Sequence, residues 1–241
     1  MTPATEMART RKGGRRARLS RELVLRAALE IADEGGLEAL TMQRIGQSLG
    51  VEAMSLYRHV RNKEDILDGI VDLVFGEIEL PGDDIDWLRA LRLRAISTRE
   101  VLARHPWAVG RMESRMQPGP ANLHHHDAVL GILFGAGFSS PMATHAYSLL
   151  DAYIYGFALQ EGNARVNTPE TLREVTSDVI EQMAGDEYPH MQRVGRELMT
   201  AGFEFGSEFE FGLDLILRVI EQLPKTDERV NAHTPSVKGT E

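Results

Sequence analysis

Apolar side chains recur every three or four residues along most of the chain, which is the period of an amphipathic helix. A first helix is expected to begin after Ser20, a good N-cap, and to end at the pair Gly35-Gly36. No run of residues is better explained by the alternating pattern of a strand. The pattern therefore predicts an all-α protein.

Two short helices separated by a glycine follow. Thr41 is a good N-cap for a helix that reaches Leu49, and Gly50 suits the left-handed position past a helix end. The next helix is expected from about 53 to 59, and Asn62 caps another that continues to about residue 76. Helix, glycine turn and helix at this spacing are typical of a helix-turn-helix motif, and also of an ordinary helical hairpin.

The second part of the chain opens at Pro81-Gly82 and is punctuated by proline and glycine. Ser207 and Glu210 have the spacing of a capping box for the last helix. Helices are predicted at about 85–104, from Pro106 to about 117, at 121–136, 141–161 and 168–185, from Pro189 onward, and at 207–223.

The helices at 141–161 and 207–223 each carry apolar residues on two sides. In the last helix, Phe209 and Leu213 share one side, whereas Phe211 and Leu215 lie on another. Two apolar sides indicate that each helix packs against other protein surfaces on both of them. Either both helices are central in a monomer, or they form a four-helix interface with a second copy of the chain.

Charge is distributed unevenly along the chain, whose formal net charge is −9. Residues 1–63 contribute a net charge of about +5, and the remainder is strongly acidic, which favours a local polyanion-binding module. Six of the basic residues fall between Arg9 and Arg18, so residues 1–18 are predicted to be a disordered arm. There is no cysteine, no apolar run of membrane-spanning length and no secretory signal, so a cytoplasmic location without a membrane partner is expected.

The amino-acid sequence of the helix-turn-helix region is more informative than its helix spacing alone. Leu40 to Gly46, then Gly50-Val51, then Ser55 to Leu67 (SLYRHVRNKEDIL) resemble the signature of the TetR (tetracycline-repressor) family. The segments Tyr188-Pro189-His190 and Phe209 to Asp214 also resemble the family's tetracycline-repressor-like C-terminal domain. The resemblance implies a helix-turn-helix domain at 19–66 and a larger helical effector-binding and dimerisation domain at 67–223. The residues at 224–241 themselves predict a disordered tail.

The same resemblance implies roles for individual residues. Tyr57, His59 and Lys63 match positions that contact DNA phosphates, and Thr41 caps the second helix near the DNA backbone. Phosphate contacts fix the register of a protein on DNA, whereas base contacts specify sequence. The residues that match base-facing positions are Gln43, Ala53, Met54 and Ser55, to which we add Arg44.

These base-facing side chains offer few hydrogen bonds. Gln43 can pair with adenine through two bonds, but Ala53 and Met54 can make only apolar contacts, such as with a thymine methyl group. We therefore expect Arg15, Arg16 or Arg18 to reach an adjacent minor groove, as N-terminal arms do.

The family resemblance also implies a small-molecule effector in the second domain, although the residues that chelate tetracycline have no clear counterpart here. Effector pockets combine aromatic and soft apolar groups with a few polar ones. Candidates of this kind are Trp107, Met112, Met116, His125, Tyr147 and Asp151.

The run His124-His125-His126-Asp127 invites a metal interpretation. Consecutive helical side chains point about 100° apart and cannot close on one ion, so no metal site or cofactor is predicted. No nucleotide-binding loop or nucleophile elbow is present either. The sequence therefore favours a homodimeric, effector-responsive repressor of operator DNA over two alternatives, a ligand-free DNA-binding dimer and a metal-dependent helical enzyme.

Overall fold

The computed structural model describes residues 18–82, 84–114, 118–163, 188–201 and 205–226, with isolated positions between 171 and 178. Every regular element in these ranges is a helix, which confirms the predicted all-α class. The helices are α1 (Arg21–Ala39), α2 (Met42–Leu49), α3 (Ala53–Leu56), α4 (Lys63–Gly76), α5 (Trp87–Arg104), a 3₁₀ turn (Pro106–Ala108), α6 (Val109–Ser114), α7 (Pro120–Gly135), α8 (Ser140–Asn163), α9 (Pro189–Ala201) and α10 (Phe205–Glu221).

Side-chain caps begin the N-terminal helices where the sequence predicted them. Ser20 Oγ accepts the amide hydrogen of Leu23 at 3.2 Å, and Asn62 Oδ1 accepts that of Asp65 at 2.8 Å. Gly36 has a φ of 70°, so α1 breaks there and continues only as a short turn. Helices α1 to α4 bury one apolar cluster around Val24, Ala28, Ile45, Leu56 and Ile66.

Asp65 joins the beginning of α1 to the beginning of α4. Its carboxylate accepts two hydrogen bonds from Arg21, each 2.9 Å long, and one from the amide of Arg61 at 2.8 Å. The hydrogen bond from Arg21 outweighs the opposing effect of burial and lowers the pKa of Asp65 from 3.8 to about 2. The charged carboxylate therefore stabilises the folded N-terminal bundle.

This arrangement predicts an acid dependence of stability. Because the folded pKa of Asp65 is lowered, its contribution is complete above a pH of about 4 and is lost as pH falls toward 2. Between pH 5 and pH 2, thermal unfolding should show a larger stability loss in the wild type than in Asp65→Asn. A Glu52→Gln control should follow the wild type, and equal losses in all three proteins would contradict the assignment.

Helix α4 runs without interruption across the predicted domain boundary between residues 66 and 67. Farther along α4, Asp72 accepts hydrogen bonds from the amides of Ala121 and Asn122 at the beginning of α7. A side-chain carbon at Gly119 would lie 2.2 Å from Asp72 Oδ1, so only glycine allows this close approach. The same helix thus carries the N-terminal bundle and contacts the second domain.

The second domain buries its main core between α5, α7, α8 and α10 around Leu91, Leu133, Leu150, Ile154 and Phe209. A smaller cluster lies between α4, α5, α6 and α8. Within the part of the chain that the structure describes, no helix is both long and apolar enough to cross a membrane.

Three boundaries differ from the sequence predictions. Helix α3 ends at Leu56, and residues 57–59 form a turn. Helix α10 begins at Phe205, so Ser207 lies inside its first turn and the predicted capping box does not begin this helix. Lys225, in the predicted tail, packs its Nζ 3.6 Å from the ring centroid of Phe138. The predicted arm to residue 17, most of the 168–185 helix and the tail from residue 227 lie outside the described residues.

Candidate DNA interface and effector site

The junction between α2 and α3 is held by close backbone contacts. Gly50 has φ 65° and ψ 37°, a left-handed conformation that glycine adopts without strain, and Val51 N donates to Gly46 O at 2.9 Å. A side-chain carbon at Gly46 would lie 2.8 Å from Val51 O and 3.2 Å from Ala53 N. The two glycines therefore fix the angle at which α3 leaves the turn.

The surface of α3 carries the predicted recognition residues. Met54 is 76% exposed and Tyr57 is 47% exposed, although both are large apolar or aromatic side chains. Leu56, between them, is completely buried in the core of the bundle and anchors the helix. Ala53, Ser55 and His59 are partly exposed beside them. An exposed methionine and tyrosine held on a buried anchor are suited to contact another molecule.

The remaining predicted DNA contacts surround this surface. Thr41 Oγ1 accepts the amide hydrogen of Arg44 at 3.1 Å, which confirms Thr41 as the cap of α2. Gln43 and Lys63 are exposed at the beginnings of α2 and α4. Arg44 pairs with Glu34 at 3.7 Å, so part of its charge is compensated within the protein. Arg15 and Arg16 lie outside the described residues.

A hydrogen-bond network connects α1 with the second domain. Asp33 Oδ1 lies 2.7 Å from His105 Nδ1 and accepts the indole hydrogen of Trp107 at 2.7 Å. Glu77 Oε2 lies 3.2 Å from His105 Nε2 and accepts a hydrogen bond from Arg104. Burial favours a raised pKa for Glu77, but the bonds from Arg104 and His105 outweigh it and lower that pKa. Trp107, predicted as an effector contact, therefore lies at the junction of the two domains.

Three of the predicted effector residues gather around a buried arginine that the sequence analysis did not select. Arg94 is completely buried, donates from Nη1 to Asp151 Oδ1 at 2.7 Å and from Nε to His125 Nε2 at 3.0 Å. The Arg94 guanidinium also lies 5.8 Å from the ring centroid of Tyr147. We call Arg94, His125, Tyr147 and Asp151 the polar cluster.

Burial and neighbouring charges shift the pKa values of His125 and Tyr147 in the polar cluster. Burial, followed by the neighbouring charge of Arg94, lowers the pKa of His125 from 6.5 to about 3, so this imidazole is neutral at pH 7. Burial and the charge of Asp151 raise the pKa of Tyr147, which remains a phenol. The cluster therefore contains one cation and one anion, Arg94 and Asp151, together with two neutral polar rings.

The position of Arg94 in the sequence could have identified it as a buried polar residue. It follows Leu91 by three residues and precedes Thr98 by four, so helical spacing places it on the same face of α5 as these residues. That face is buried, with Leu91, Ala95 and Thr98 each completely inaccessible. A charged residue on the apolar face of a predicted helix therefore indicates a buried polar site.

The other two predicted effector residues are less informative. Met112 is buried in the smaller core cluster together with Phe75, whose ring centroid lies 5.9 Å from that of His125. Met116 lies outside the described residues. A cleft of about 700 Å³ is lined by residues of α5, of α7 and of the segment before α5, and its lining includes no residue of the polar cluster. The lining residues include Leu80, Pro81, Asp86, Trp87, Ala90, Asp127, Ala128 and Ile132.

The three consecutive histidines point in different directions. His125 faces Arg94 in the core, His126 Nδ1 lies 3.2 Å from the Tyr147 hydroxyl, and His124 is exposed. Among the described residues, no three His, Cys, Asp or Glu side chains are arranged to hold a metal ion.

Helices α8 and α10 pack together through a close contact and leave neighbouring apolar side chains exposed. Tyr153 on α8 donates its hydroxyl hydrogen to Phe209 O at 2.9 Å, and a side-chain carbon at Gly212 would lie 2.2 Å from that hydroxyl. The apolar side chains left exposed on the two helices are Leu149, Leu159, Phe211, Leu215 and Val219. The second apolar side predicted for α10 is therefore exposed at Phe211, Leu215 and Val219, whereas on α8 Met142 and Ala146 are buried and Leu149 is exposed.

Two family models match the chain, and together they span most of it. Residues 24–70 match the model described as bacterial regulatory proteins, tetR family. Residues 80–223 match the model described as tetracyclin repressor-like, C-terminal domain. The first match contains α2 and α3, and the second contains the polar cluster and the cleft.

Individual proteins agree with the family models. The chain is 32% identical over 219 residues to the HTH-type transcriptional repressor DrrR1 of Streptomyces coeruleorubidus, covering 87% of this chain and 80% of that protein. It is 29% identical over 212 residues to the class C tetracycline repressor protein of Escherichia coli, covering 87% and 94% of the two chains.

Solved structures share the fold. The structure of ActR from Streptomyces coelicolor in complex with actinorhodin superposes with a TM-score of 0.70 at 23% identity, over 85% of this chain and 98% of that one. TetR from Acinetobacter baumannii superposes with a TM-score of 0.65 at 26% identity, over 87% and 100%. With the helix-turn-helix geometry and both family models, these matches establish that the chain belongs to the TetR family of DNA-binding transcriptional regulators.

Proposed function

We propose that the protein is a homodimeric repressor that binds a pseudo-palindromic operator and leaves it when a small molecule binds the second domain. The observation that carries the DNA-binding part is the exposed surface of α3 and of the turn after it, where Met54 and Tyr57 are exposed on either side of the buried Leu56. A helix of this kind enters the major groove of DNA, which is wide enough to admit it.

The exposed residues divide by chemistry into two groups. Tyr57, His59 and Lys63 can donate hydrogen bonds to phosphate oxygens, which would position the protein without reading sequence. Gln43 can pair with adenine, and Met54 can contact a thymine methyl group. The arginines of the N-terminal arm, Arg15 and Arg16 among them, would add minor-groove or phosphate contacts.

Two conservative variants separate these roles. Tyr57→Phe removes one hydroxyl and should weaken binding by roughly fivefold on every duplex, because a single phosphate hydrogen bond is lost. Gln43→Ala should instead relax the preference at one base pair of each half-site, which is worth about 1–3 kcal/mol of discrimination. Fluorescence anisotropy with a selected duplex and its single-base variants measures both effects.

Glu38→Gln, at an exposed position of the first domain, is the control for a surface substitution outside the proposed DNA contacts. If Gln43→Ala weakens binding equally on all duplexes, Gln43 does not read a base. If Tyr57→Phe changes the preferred sequence, Tyr57 is not a phosphate contact.

Dimerisation is supported by the apolar face of α8 and α10. An exposed surface containing Phe211, Leu215 and Val219 on one helix and Leu149 and Leu159 on the other is larger than isolated surface side chains require. Pairing with a second copy would make a four-helix interface related by twofold symmetry. Two recognition helices about 34–36 Å apart then match half-sites one helical turn apart.

Release by an effector is supported by the buried polar cluster, by the cleft and by what the relatives bind. Two solved relatives are complexes with a ligand, ActR with actinorhodin and a TetR variant of Acinetobacter baumannii with minocycline. In this chain the effector would contact His125, Tyr147 and Asp151, with Trp107, Met112 and Met116 as further candidates. A volume of about 700 Å³ suits a drug-sized molecule.

The effector must bind more tightly to a conformation that does not fit the operator, because a ligand shifts an equilibrium only through such a preference. The structure offers two connections for this coupling. Asp72 of α4 caps α7, and Asp33 of α1 binds both His105 and Trp107. A displacement of α5 or α7 would reach α1 and α4 through them and change the spacing of the recognition helices.

Cytoplasmic location and the absence of enzymatic activity belong to this proposal. The polar cluster has no activated nucleophile: Tyr147 stays protonated, and its members are arranged for binding rather than for proton transfer. Repression rather than activation follows from the relatives, which are named as repressors.

A further inference from the structure

His105 follows the last turn of α5 and lies between two carboxylates that belong to other helices. Its Nδ1 is 2.7 Å from Asp33 Oδ1 on α1, and its Nε2 is 3.2 Å from Glu77 Oε2, directly after α4. The side chain of His105 is only 7% exposed, so the carboxylates take the place of water as its partners. One imidazole ring therefore connects three helices across the boundary between the two domains.

Both carboxylate oxygens act as acceptors in this network. Asp33 Oδ1 also accepts the indole hydrogen of Trp107, and Glu77 Oε2 also accepts a hydrogen bond from Arg104. Burial alone would raise the pKa of Glu77, but the bonds from Arg104 and His105 lower it, so Glu77 is ionised at neutral pH. Both ring nitrogens of His105 must then carry a hydrogen, which is the case only in the positively charged imidazolium.

The loss of one proton would remove one of these two bonds. A neutral imidazole has a single N–H group, so its other nitrogen would turn a lone pair toward a carboxylate oxygen. Hydrogen bonds between ionised groups are about twice as strong as those between neutral groups. Histidine is the side chain type whose charge ordinarily changes between about pH 5 and 8. The connection between the domains therefore depends on one exchangeable proton.

The charges that face His105 balance only when it is protonated. They are Asp33 from α1, Glu77 from the end of α4 and Arg104 from α5 itself. Protonated His105 and Arg104 together match the two carboxylates, whereas a neutral ring leaves one carboxylate in excess. His105 also caps the carboxyl end of α5, where the helix dipole stabilises a positive charge.

Helix α8 packs against the turn that follows His105 but does not compete for the ring. Gly162 of α8 lies against Pro106, and the neighbouring Glu161 bonds to Arg99 through both of its carboxylate oxygens. The negative charge that α8 brings to this region is therefore compensated by Arg99.

Trp107 extends the same joint on its apolar side. Its ring packs against the core cluster of the N-terminal bundle and also against the smaller cluster of the second domain. The rings of His105 and Trp107 meet edge to face, with centroids 6.3 Å apart. Because both residues bond to Asp33 Oδ1, a shift of Asp33 away from His105 would also disturb Trp107.

We propose that protonated His105 is a positioning residue for operator binding, which holds the N-terminal bundle in the orientation that fits DNA and releases it when the proton is lost. This inference rests on the proposed repressor function and adds a proton to the signals that control it. Two bundles already held at the required spacing lose less conformational freedom on binding, so operator affinity should fall as pH rises.

The pH profile of operator binding tests this role. Fluorescence anisotropy with the full chain and its selected duplex is measured at about pH 6 and pH 8 and at constant ionic strength. Wild-type affinity should fall about tenfold more than that of His105→Gln, because a charge-assisted bond contributes that much. His105→Gln should bind weakly at both pH values. His59 and the other histidines are present in both proteins, so the difference between the profiles reports on His105.

Glu77→Gln separates the proton from the presence of the histidine ring. The glutamine amide can donate to an unprotonated Nε2 while its carbonyl accepts from Arg104, so neutral His105 keeps both bonds. This variant should bind operator more tightly than the wild type at pH 8, with the weaker pH dependence of His105→Gln. His124→Gln, at an exposed histidine of α7, is the control and should follow the wild type.

NMR of protein containing isotope-labelled histidine observes the proton directly and without DNA. Both ring nitrogens of His105 should be protonated at pH 6, and one hydrogen should be lost over the pH range in which operator affinity falls. His105→Gln assigns the signal, and if that variant does not fold, Glu77→Gln and the spectra of the wild type decide.

Two results would overturn the inference. One is the same pH dependence of operator binding in the wild type and in folded Glu77→Gln, and the other is a neutral His105 ring at pH 6. Circular dichroism verifies that each variant is folded. A wild-type protein that selects no duplex at either pH would instead contradict the proposed repressor function, whereas one that binds its operator with a profile unaffected by these variants loses only the role of His105.

Discussion

Replacing Asp151 by leucine should lower the free energy of unfolding by about 3–5 kcal/mol, because it leaves the buried guanidinium of Arg94 without its counter-ion. Arg94 is completely inaccessible and Asp151 is its only charged partner among the described residues. Combining Asp151→Leu with Arg94→Met should restore most of the loss, since both charges are then replaced by apolar groups. Urea unfolding of the two variants and the wild type measures the effect.

A surface ion pair between the same type of groups provides the control. Arg92 on α5 donates to Asp214 on α10 at 2.8 Å, and these side chains are 33% and 44% exposed to solvent, unlike the completely buried Arg94. Asp214→Leu should therefore cost less than about 1 kcal/mol. If Asp151→Leu and Asp214→Leu have the same effect, the Arg94 pair is not the buried polar site described here.

The second large effect concerns the dimer. Introducing aspartate at both Phe211 and Leu215 should convert the protein to a monomer, because two charges would be placed in the centre of the proposed apolar interface. Affinity for a two-half-site duplex should fall by about a hundredfold or more, since the two DNA-binding modules are no longer linked. Sedimentation velocity and anisotropy measure the two quantities.

Leu123→Asp is the matched control, because Leu123 is an exposed leucine at the beginning of α7 and is not one of the exposed apolar side chains of α8 and α10. This variant should remain dimeric and bind DNA normally. If the Phe211 and Leu215 double variant also remains dimeric, the interface lies elsewhere on the molecule.

The N-terminal domain was predictable because local sequence signals fix its backbone. Thr41 and Asn62 are side-chain caps and Gly50 is a left-handed stop, and each acts on residues three or four positions away. The end of α3 was not predictable in the same way. Its residues continue to favour a helix to His59, but in the structure the segment after Leu56 is a turn, in which His59 N and Val60 N both donate to Leu56 O.

The effector site was only partly predictable because its residues lie far apart in the sequence and meet only in the folded chain. His125, Tyr147 and Asp151 were selected by residue type, and they meet only because Arg94 on a separate helix bonds to two of them. The start of α10 was misplaced because Ser207 satisfies the capping-box pattern, whereas the helix already begins at Phe205. Trp107 was selected as an aromatic pocket residue, yet its indole hydrogen is bound to Asp33 in the other domain.

The interdomain contacts give the polar cluster a physical connection to DNA. Phe75 of α4 lies against His125, and α4 begins with Lys63, a proposed phosphate contact. A ligand that moves His125 would therefore act on the helix that carries the N-terminal bundle. In the proposed account, effector binding and operator binding compete through this helix.

The most direct test of the central claim is selection of bound DNA from a random duplex pool by the purified full chain, followed by sequencing at two salt concentrations. We expect enrichment of one pseudo-palindromic sequence, with half-sites about one helical turn apart, at both salt concentrations. Binding that is lost at the higher salt concentration without any enriched sequence would indicate only non-specific attraction of the basic arm to phosphates. That result would contradict the assignment of α3 as a sequence-reading helix.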